Sequence, residues 1–448
     1  MILKFIQAVN AVKKLLSRKA TFYYLLLIAV LSELAYIIFV TTQKNTAILE
    51  YIIVYCFAFI LFYAAFLLVR SKHELAGNKN ILLLILISGL VFRATLIPSS
   101  PSTSDDVYRY IWEGKIIYNG HNPFDAPPND VSLKYLHSEK LPALVTFKNM
   151  TAIYPPFAQL VFLSGYILGG ESDKGLKLIY LLCEFITLVF IIKILLLRKQ
   201  NPNYIILYAW LPLPIMEYFI NSHIDAVGIT FFVIFIYYIL QNKYFAASPF
   251  FAISILTKMF PAIVFPLIIK KIGLKKTFYF LIITLAIIFL FQYPFMPREG
   301  VLLESLSKYL RKWSFNGSLY KVLYFILHDG STVRIILMML FIISVGSISI
   351  KYNDFLKAVY AVWICFIIFS ATLFPWYLGW IAAINPVFAF SSIISLFFTS
   401  NASNFTPMAD GWREFWWVSL IEYVPFYVLL IFESKKYLIS TLKKYFIS

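Results

Sequence analysis

The sequence predicts an all-α protein that crosses a membrane many times. Of its 448 residues, 61% are hydrophobic and only 14% are charged. Apolar runs long enough to span a bilayer recur along the chain, and short clusters of Lys and Arg separate them, as in cytoplasmic loops. We therefore predict one membrane domain over residues 1–448 with about 12 transmembrane helices, within a range of roughly 10 to 14.

The net charge of +17 does not indicate a nucleic-acid-binding protein. The cations form short clusters instead of one basic face with a nucleic-acid motif, so we interpret them as topology signals and contacts to membrane lipids. Cys56, Cys183 and Cys365 each lie in an apolar run without metal-ligand spacing, which is typical of packing residues.

The positive-inside rule orders the first three predicted spans, at residues 22–40, 49–69 and 81–98. Basic residues precede the first span and follow the second, so both of these ends are expected in the cytoplasm. The third span then leads to a large outer loop, residues 99–170. In a bacterium this topology gives a multi-pass inner-membrane protein with a cytoplasmic N-terminus and a loop facing the periplasm or exterior.

The outer loop is predicted to contain two interfacial helices. One includes the string WEGKII, and the other follows the YPP that ends at Pro156. The second helix, residues 157–169, is apolar enough to cross, but the cations that follow the next run are expected in the cytoplasm. This helix is therefore expected to lie along the outer face.

The remaining bundle is predicted from later apolar runs and a second outer loop, residues 296–332. Residues 244–269 are too many for one straight span and contain three prolines, so we predict a hairpin of two short helices with Lys258 near its outer apex. Residues 380–398 form either one span or a re-entrant pair, and the cations at the C-terminus favour the pair. The other predicted spans are 176–197, 204–220, 226–240, 277–294, 334–350, 355–374 and 415–432.

An acidic pair follows the third predicted span. Asp105 and Asp106 have aromatic neighbours that remove part of their solvation. A partly desolvated carboxylate has the proton affinity that a general base toward a substrate hydroxyl needs. Asp is also a favoured N-cap residue, and one member of the pair can cap the next helix while the other reaches the substrate. We predict Asp105 and Asp106 as the catalytic candidates.

Other polar residues of the outer loop are candidates for substrate binding. Arg109 and Glu113 are four positions apart, which is at least as typical of an ion pair on one helical face. His121 and Asn122 belong to the string NGHNPF, whose Gly, Asn and Pro are typical of a turn that ends a helix. The candidates in this loop are Tyr108, Arg109, Glu113, His121, Asn122 and Tyr154.

The string NSHID also places polar groups at a predicted membrane boundary. Asn221, His223 and Asp225 are costly there unless they are paired, which favours a shared cavity over an ordinary polar loop.

Cations and aromatic residues complete the candidate list. Lys258 lies within an apolar run, where an ammonium group needs an anion, and a phosphate is a natural partner. Arg93 is a weaker candidate because its side chain is long enough to snorkel to the interface. Trp376 and Tyr377 are assigned either to sugar stacking or, as the preferred reading, to an interfacial aromatic belt.

The strings SDDVYRYIWEGKIIYNGHNPF and IYPPFAQLVF resemble those of a known enzyme family. They are similar to the GT-C fold, polyprenol-phosphate-mannose-dependent mannosyltransferases, notably the bacterial integral-membrane ones. More distantly, they resemble the catalytic subunit of GPI mannosyltransferase I. With Gly120 on that family's turn glycine, Asp106 occupies the second acidic position of its Asp-x-Asp motif and Ser104 the first. NSHID, LTKMFP and FPWYLGW are similar to later polar segments of the family.

The resemblance implies a GT-C-like bundle and an inverting transfer at the outer face. The donor would be a polyprenyl-phosphate sugar, most consistent with mannose, and the cell-envelope acceptor would be a glycolipid, a polysaccharide or a protein hydroxyl. One carboxylate would deprotonate the acceptor hydroxyl, while Lys258, and after it Arg93 or Arg109, would stabilise the departing lipid phosphate. No cofactor is required, and a divalent metal at Asp105, Asp106 and His223 is possible without being needed.

Two alternatives remain open at this point. A lipid-linked glycan polymerase or ligase would transfer whole oligosaccharides from a pyrophosphate carrier. A secondary transporter or lipid-linked sugar flippase would also use broken helices and polar groups within the membrane. The polar density outside the membrane and the lack of a visible internal repeat count against transport.

Overall fold

A computed structural model describes residues 2–43, 48–71, 77–297, 304–408 and 413–446. Helices occur in each of these segments. Side chains are described from residue 19 to residue 435 of these segments. No strand occurs in these segments. Phe315 and Asn316 pair with Thr372 only through isolated bridges.

Ten α-helices are described up to residue 257. These are α1 (Ile2–Thr42), α2 (Ile48–Ser71), α3 (Lys79–Thr95), α4 (Asp106–Tyr118), α5 (Pro156–Gly169), α6 (Lys174–Leu197), α7 (Ile206–Ala209), α8 (Pro212–Phe219), α9 (Asp225–Leu240) and α10 (Tyr244–Thr257).

The second part of the chain continues with helices of more variable length. The described helices are α11 (Phe265–Ile272), α12 (Leu274–Gln292), α13 (Glu304–Lys312), α14 (Ser318–Leu327), α15 (Gly330–Lys351), α16 (Phe355–Phe369), α17 (Gly379–Ala382), α18 (Ser391–Thr399) and α19 (Trp416–Phe446). Short 3-10 helices link several of them, at Val131–Leu136, Pro202–Ile205, Phe260–Val264, Tyr293–Phe295, Pro375–Leu378, Asn385–Val387 and Ser400–Met408.

Six helices among the described residues are long and apolar enough to cross a membrane. Their candidate spans are Lys19–Thr42, Ile48–Ser71, Lys174–Leu197, Leu274–Phe295, Gly330–Lys351 and Trp416–Lys435. The all-helical architecture is thereby confirmed, together with several apolar helices of membrane type. The number of 12 crossings, their topology and the interfacial position of α4 and α5 stay predictions.

Two predicted spans are not continuous helices. In the run 204–220 the chain breaks before Pro212, because the residue before a proline avoids the helical region, and Leu211 is extended (φ −64°, ψ 121°). The run is enclosed by protein, which permits a broken helix at membrane depth. Residues 380–398 likewise break at Asn385 and Pro386, so they do not form one continuous span.

The run 244–269 also breaks where the sequence places Lys258. Helix α10 ends at Thr257, and Lys258 is extended (φ −158°, ψ 130°) before the 3-10 helix at Phe260–Val264. Helices α9 and α10 pack together along their length, and α4 packs against α5. These packed pairs bring the break at Lys258 and the start of α4 to the same end of the bundle, where their charges interact.

Candidate active site

The two catalytic candidates lie at the N-terminus of α4 and differ in their surroundings. Asp105 occupies the N-cap position, but its side chain accepts no capping hydrogen bond. Asp106 Oδ2 lies 3.4 Å from the Tyr154 hydroxyl, which donates to it, and the Tyr154 and Tyr110 hydroxyls are 2.9 Å apart. The acidic pair and the YPP turn therefore meet, although more than 40 residues separate them in the chain.

Burial changes the proton affinity of both carboxyl groups. It raises the pKa of Asp105, while the Arg109 charge acts in the opposite direction. The pKa of Asp106 rises to about 6, first because of burial and then because of the negative charge on Asp105, with Lys258 and Arg109 opposing the rise. The Asp106 side chain remains 35% exposed. Asp106 is thus a reachable carboxyl group whose proton affinity is suited to exchange near neutral pH.

His223 lies between two carboxylates without a hydrogen bond to either. Its side chain is fully buried, with Nδ1 3.8 Å from Asp106 Oδ2 and Nε2 3.5 Å from Glu217 Oε2. Both ring nitrogens lack a hydrogen-bond partner among the described residues. The ring stacks on Trp376 at a centroid distance of 3.7 Å. Burial and the charge of Lys258 lower the pKa of His223, so the imidazole is neutral at rest.

Asn221 and Glu217 hold the segment that leads into the acidic pair. Asn221 Oδ1 accepts hydrogen bonds from the backbone amides of Ser102 and Thr103 at 3.2 and 3.1 Å. Its amide nitrogen donates to Glu217 Oε2 at 3.0 Å, and the Tyr51 hydroxyl donates to Glu217 Oε1 at 2.9 Å. Tyr51 on α2 and Glu217 on α8 therefore help to position the start of α4.

Asp225 and Lys258 form a buried ion pair next to the acidic pair. Lys258 Nζ lies 3.0 and 2.8 Å from the two carboxylate oxygens of Asp225. The Trp380 indole also donates to Asp225 Oδ1, at 2.7 Å. The ammonium group lies 4.4 Å from the centre of the Tyr377 ring, a cation–π distance. Lys258 is thus neutralised within the protein while 11% of its side chain stays exposed.

Aromatic rings connect this site to residues 296–332, the predicted second outer loop. Phe315, Phe374, Trp376 and His223 form a run of near-parallel stacked rings. On the other side of the site, the Tyr309 hydroxyl of α13 lies 3.2 Å from that of Tyr377. Trp376 and Tyr377 are both largely buried, so their ring faces contact protein groups of the site. Residues 298–303 of this predicted loop lie outside the described residues.

Arg109 and Glu113 form the ion pair that their spacing predicts. Their closest charged atoms are 3.2 Å apart. Arg109 also donates to the carbonyls of Thr146, Phe147 and Met150, and Gln159 donates to Glu113 at 2.8 Å. Their side chains therefore tie the loop around residues 146–150 and helix α5 to α4.

Arg93 lies in a second buried ion pair away from this group. Its guanidinium is 2.9 Å from Glu184 and is fully buried. It also donates to the carbonyls of Gly89 and Ala209. Instead of snorkelling toward the membrane surface as the sequence suggests, Arg93 has its charge and most of its donors satisfied inside the bundle.

The NGHNPF turn closes α4 and contacts Met296, at the start of the predicted second outer loop. Gly120 has φ +82°, which a residue with a side chain rarely adopts. His121 Nε2 is hydrogen-bonded to the Tyr135 hydroxyl, and Asn122 donates to the Met296 carbonyl. Tyr108 is half-buried on α4, and burial, Asp173 and Asp105 raise the pKa of its hydroxyl. His121 and Asn122 thus have contacts that account for their presence without a ligand.

Three residues of the site were absent from the sequence-based candidates. Glu217 is a single carboxylate in the apolar string WLPLPIMEYFI, and an ionisable residue in such a run is itself a signal of function. Trp380 and Tyr309 carry no comparable signal, because aromatic residues are frequent throughout the chain. Among the described residues, no group of three His, Cys, Asp or Glu is arranged to hold a metal.

Residues 27–272 match the family model of the MptA_B family, described as alpha-(1->6)-mannopyranosyltransferase, N-terminal domain. The chain belongs to this mannosyltransferase family. A comparison with curated proteins finds no match. The matched range covers more than half of the chain and contains the acidic pair, the NSHID segment and Lys258. Membership supports a glycosyltransferase that moves mannose.

The part of this mannosyltransferase beyond the matched range adds the remaining wall of the site. Three aromatic residues that follow residue 272 contact residues inside the matched range: Trp376 stacks on His223, Tyr377 lies against the Lys258 ammonium, and Trp380 donates to Asp225. Tyr309 joins them through the Tyr377 hydroxyl. The candidate site therefore requires both parts of the chain.

Proposed function

We propose that this mannosyltransferase moves mannose from a polyprenyl-phosphate donor to an acceptor hydroxyl at the outer face of the membrane, with inversion at the anomeric carbon. One observation carries this proposal. Asp106, a partly exposed carboxyl group with a raised pKa, lies in the same site as the buried ammonium of Lys258. One group suits a proton acceptor, and the other suits a phosphate.

Asp106 is the base in this reaction. It removes the proton of the acceptor hydroxyl as that oxygen forms a bond to the anomeric carbon. The bond from the anomeric carbon to the phosphate oxygen breaks at the same time, through an oxocarbenium-like state, and the phosphate keeps the bonding electrons. The family description names an α linkage, so inversion requires a β-linked donor.

Lys258 stabilises the charge that develops on the departing lipid phosphate. Its ammonium has three N–H donors, and Asp225 occupies part of this capacity. Trp380 also binds Asp225, so the carboxylate keeps a partner when Lys258 turns toward a phosphate. A departing phosphate is a weak base, so it needs neutralisation of its negative charge more than it needs a proton.

On the buried side of Asp106, His223 and Glu217 favour its action as a base. A neutral His223 that gives its Nε2 proton toward Glu217 presents the lone pair of Nδ1 to Asp106. Because burial and the charge of Lys258 lower the pKa of His223, the ring stays neutral throughout the reaction. Its lone pair favours the protonated form of Asp106 and so strengthens Asp106 as a base. When the products leave, the proton passes from Asp106 to water at its exposed side.

The test uses purified protein with a labelled β-linked polyprenyl-phosphate mannose and a hydroxyl acceptor. We expect addition of single α-linked mannose units, and no product from the α-linked donor. Full activity of Asp106→Asn would end the assignment of Asp106 as the base, and full activity of both Asp105→Asn and Asp106→Asn would exclude the acidic pair altogether. Block transfer of oligosaccharides would favour the polymerase or ligase alternative, and movement of donor into vesicles without covalent change would favour transport.

A further inference from the structure

A cavity of about 250 Å³ lies between α11, α15 and α16, at the end of the bundle opposite Asp106. Helix α16 begins at this cavity with Phe355 and ends at Phe369, shortly before the Trp376 segment of the candidate site. Its 15 residues place the two sites roughly 22 Å apart along the helix axis. This volume is below the roughly 300 Å³ lower limit for drug-sized ligands and suits a group the size of a phosphate with a few waters.

The cavity is basic and lacks an acidic lining residue. Its polar lining comes from Lys270 and Lys271 at the end of α11 and from Ser349, Tyr352 and Asn353 around the end of α15. Lys270 Nζ donates to the Ile350 carbonyl at 2.6 Å, which holds it at the rim. Neither lysine has a carboxylate partner in the described part of the chain. Two uncompensated positive charges therefore face one small polar space.

Exposed apolar side chains flank the two lysines. Ile350, whose carbonyl binds Lys270, is 82% exposed, and Leu274, three residues after Lys271, is 78% exposed. Both residues lie at the ends of candidate membrane spans, Gly330–Lys351 and Leu274–Phe295. A ligand whose anionic group enters the cavity would thus have apolar protein surface directly beside it, which suits a lipid better than a free anion.

We propose that this cavity binds the phosphate headgroup of an anionic phospholipid, with the acyl chains along the apolar surface next to Ile350 and Leu274. Basic pockets between membrane helices suit such headgroups. Here the ammonium groups of Lys270 and Lys271, together with neighbouring hydroxyl and amide groups, would satisfy the phosphate oxygens. This site is separate from the one that carries the mannosyltransferase chemistry, so its test does not depend on that activity.

The test compares thermal unfolding of delipidated protein with short-chain phosphatidylglycerol, phosphatidylcholine or inorganic phosphate. We expect phosphatidylglycerol alone to raise the unfolding temperature of the native chain. The double variant Lys270→Gln and Lys271→Gln should bind this lipid roughly tenfold more weakly. The matched control is the double variant Lys275→Gln and Lys276→Gln. It removes the same charge from the first turn of α12 without changing the cavity lining.

Native mass spectrometry gives a second measurement through the number of retained phosphatidylglycerol molecules. The native chain and the control should retain one molecule more than the cavity variant, and Lys271→Glu should lose it as well. Equal lipid effects in the cavity variant and the control would overturn the proposal, since the lysines would then act only as general surface charge. Stabilisation by inorganic phosphate equal to that by the lipid would overturn the choice of a lipid.

Discussion

Asp105 and Asp106 are adjacent in the chain, but they are chemically unequal. Asp106 lies beside Tyr154 and His223, and its pKa is raised to about 6, whereas Asp105 raises that pKa through its charge. We expect Asp106→Asn to lower kcat by about 100-fold or more, within the range for loss of a general base. Asp105→Asn should lower it much less. Steady-state kinetics with both isosteric variants decide this, and an equal loss in both would contradict the assignment to Asp106.

The raised pKa of Asp106 predicts the pH dependence of the reaction. The base must be ionised, so kcat/KM should fall as the pH falls through about 6. Asp105→Asn removes a negative charge that raises this pKa, and the acidic limb should therefore move to lower pH. A pH profile measured for both proteins tests the sign of the shift. An acidic limb that stays in place would mean that the titrating group is not Asp106.

Glu217 is expected to act through His223 and not by contact with the substrate. In Glu217→Gln the amide can still accept from Tyr51, but its NH2 group can donate to Nε2 of His223 and so reverse the tautomer, which turns an N–H instead of a lone pair toward Asp106. We expect kcat to fall about tenfold or more with KM nearly unchanged. Glu433→Gln is a matched control, because Glu433 accepts hydrogen bonds from Ser391 and Ser392 on α18 and is not among the residues of the candidate site. A rise in KM alone would argue for a structural role of Glu217.

At the scale of the helices, α4 and α5 pack closely together at Gly114. A Cβ atom there would come within 2.3 Å of the Phe162 carbonyl oxygen, a backbone atom that cannot turn away. Gly114→Ala should therefore destabilise the protein by about 1–3 kcal/mol and reduce activity, because α4 carries Asp106. Gly346→Ala on α15 is the control, since a Cβ there meets nothing within 4 Å. Thermal unfolding should distinguish the two, and equal melting temperatures would contradict the close packing of α4 on α5.

The broken helices show which element boundaries the sequence can predict. Prolines at 212, 261 and 386 mark positions where the structure interrupts an apolar run, because proline lacks a donor and restricts the residue before it. The predicted span over 204–220 consists of α7 and α8 instead of one helix, because its prolines interrupt the helix that its hydropathy favours, and its crossing of the membrane stays a prediction. Hydropathy reports a preference for an apolar environment and does not distinguish lipid from protein. Residues 205–220 find this environment among neighbouring helices.

At the scale of the whole molecule, Arg93 and Glu184 join α3 to α6 by a buried ion pair. Removing one partner leaves an uncompensated buried charge, so Arg93→Met or Glu184→Leu alone should cost about 3–5 kcal/mol of stability. The double variant should recover much of this loss and keep its mannosyltransferase activity. Thermal unfolding and activity of all four proteins test both statements. A folded but inactive double variant would mean that Arg93 does act on the lipid phosphate.

The sequence by itself determined the all-helical class with its apolar helices, because apolar composition is a property of short segments. It also predicted the acidic pair, NSHID and Lys258 as site residues, because isolated charges in an apolar chain are visible in short segments. Only the tertiary structure decided which of these charges are already paired and which remain available. It assigned Arg93 to Glu184 and Lys258 to Asp225, and it placed Glu217 behind His223. Such partners come from helices far apart in the chain, and their pairing depends on helix packing that no local pattern encodes.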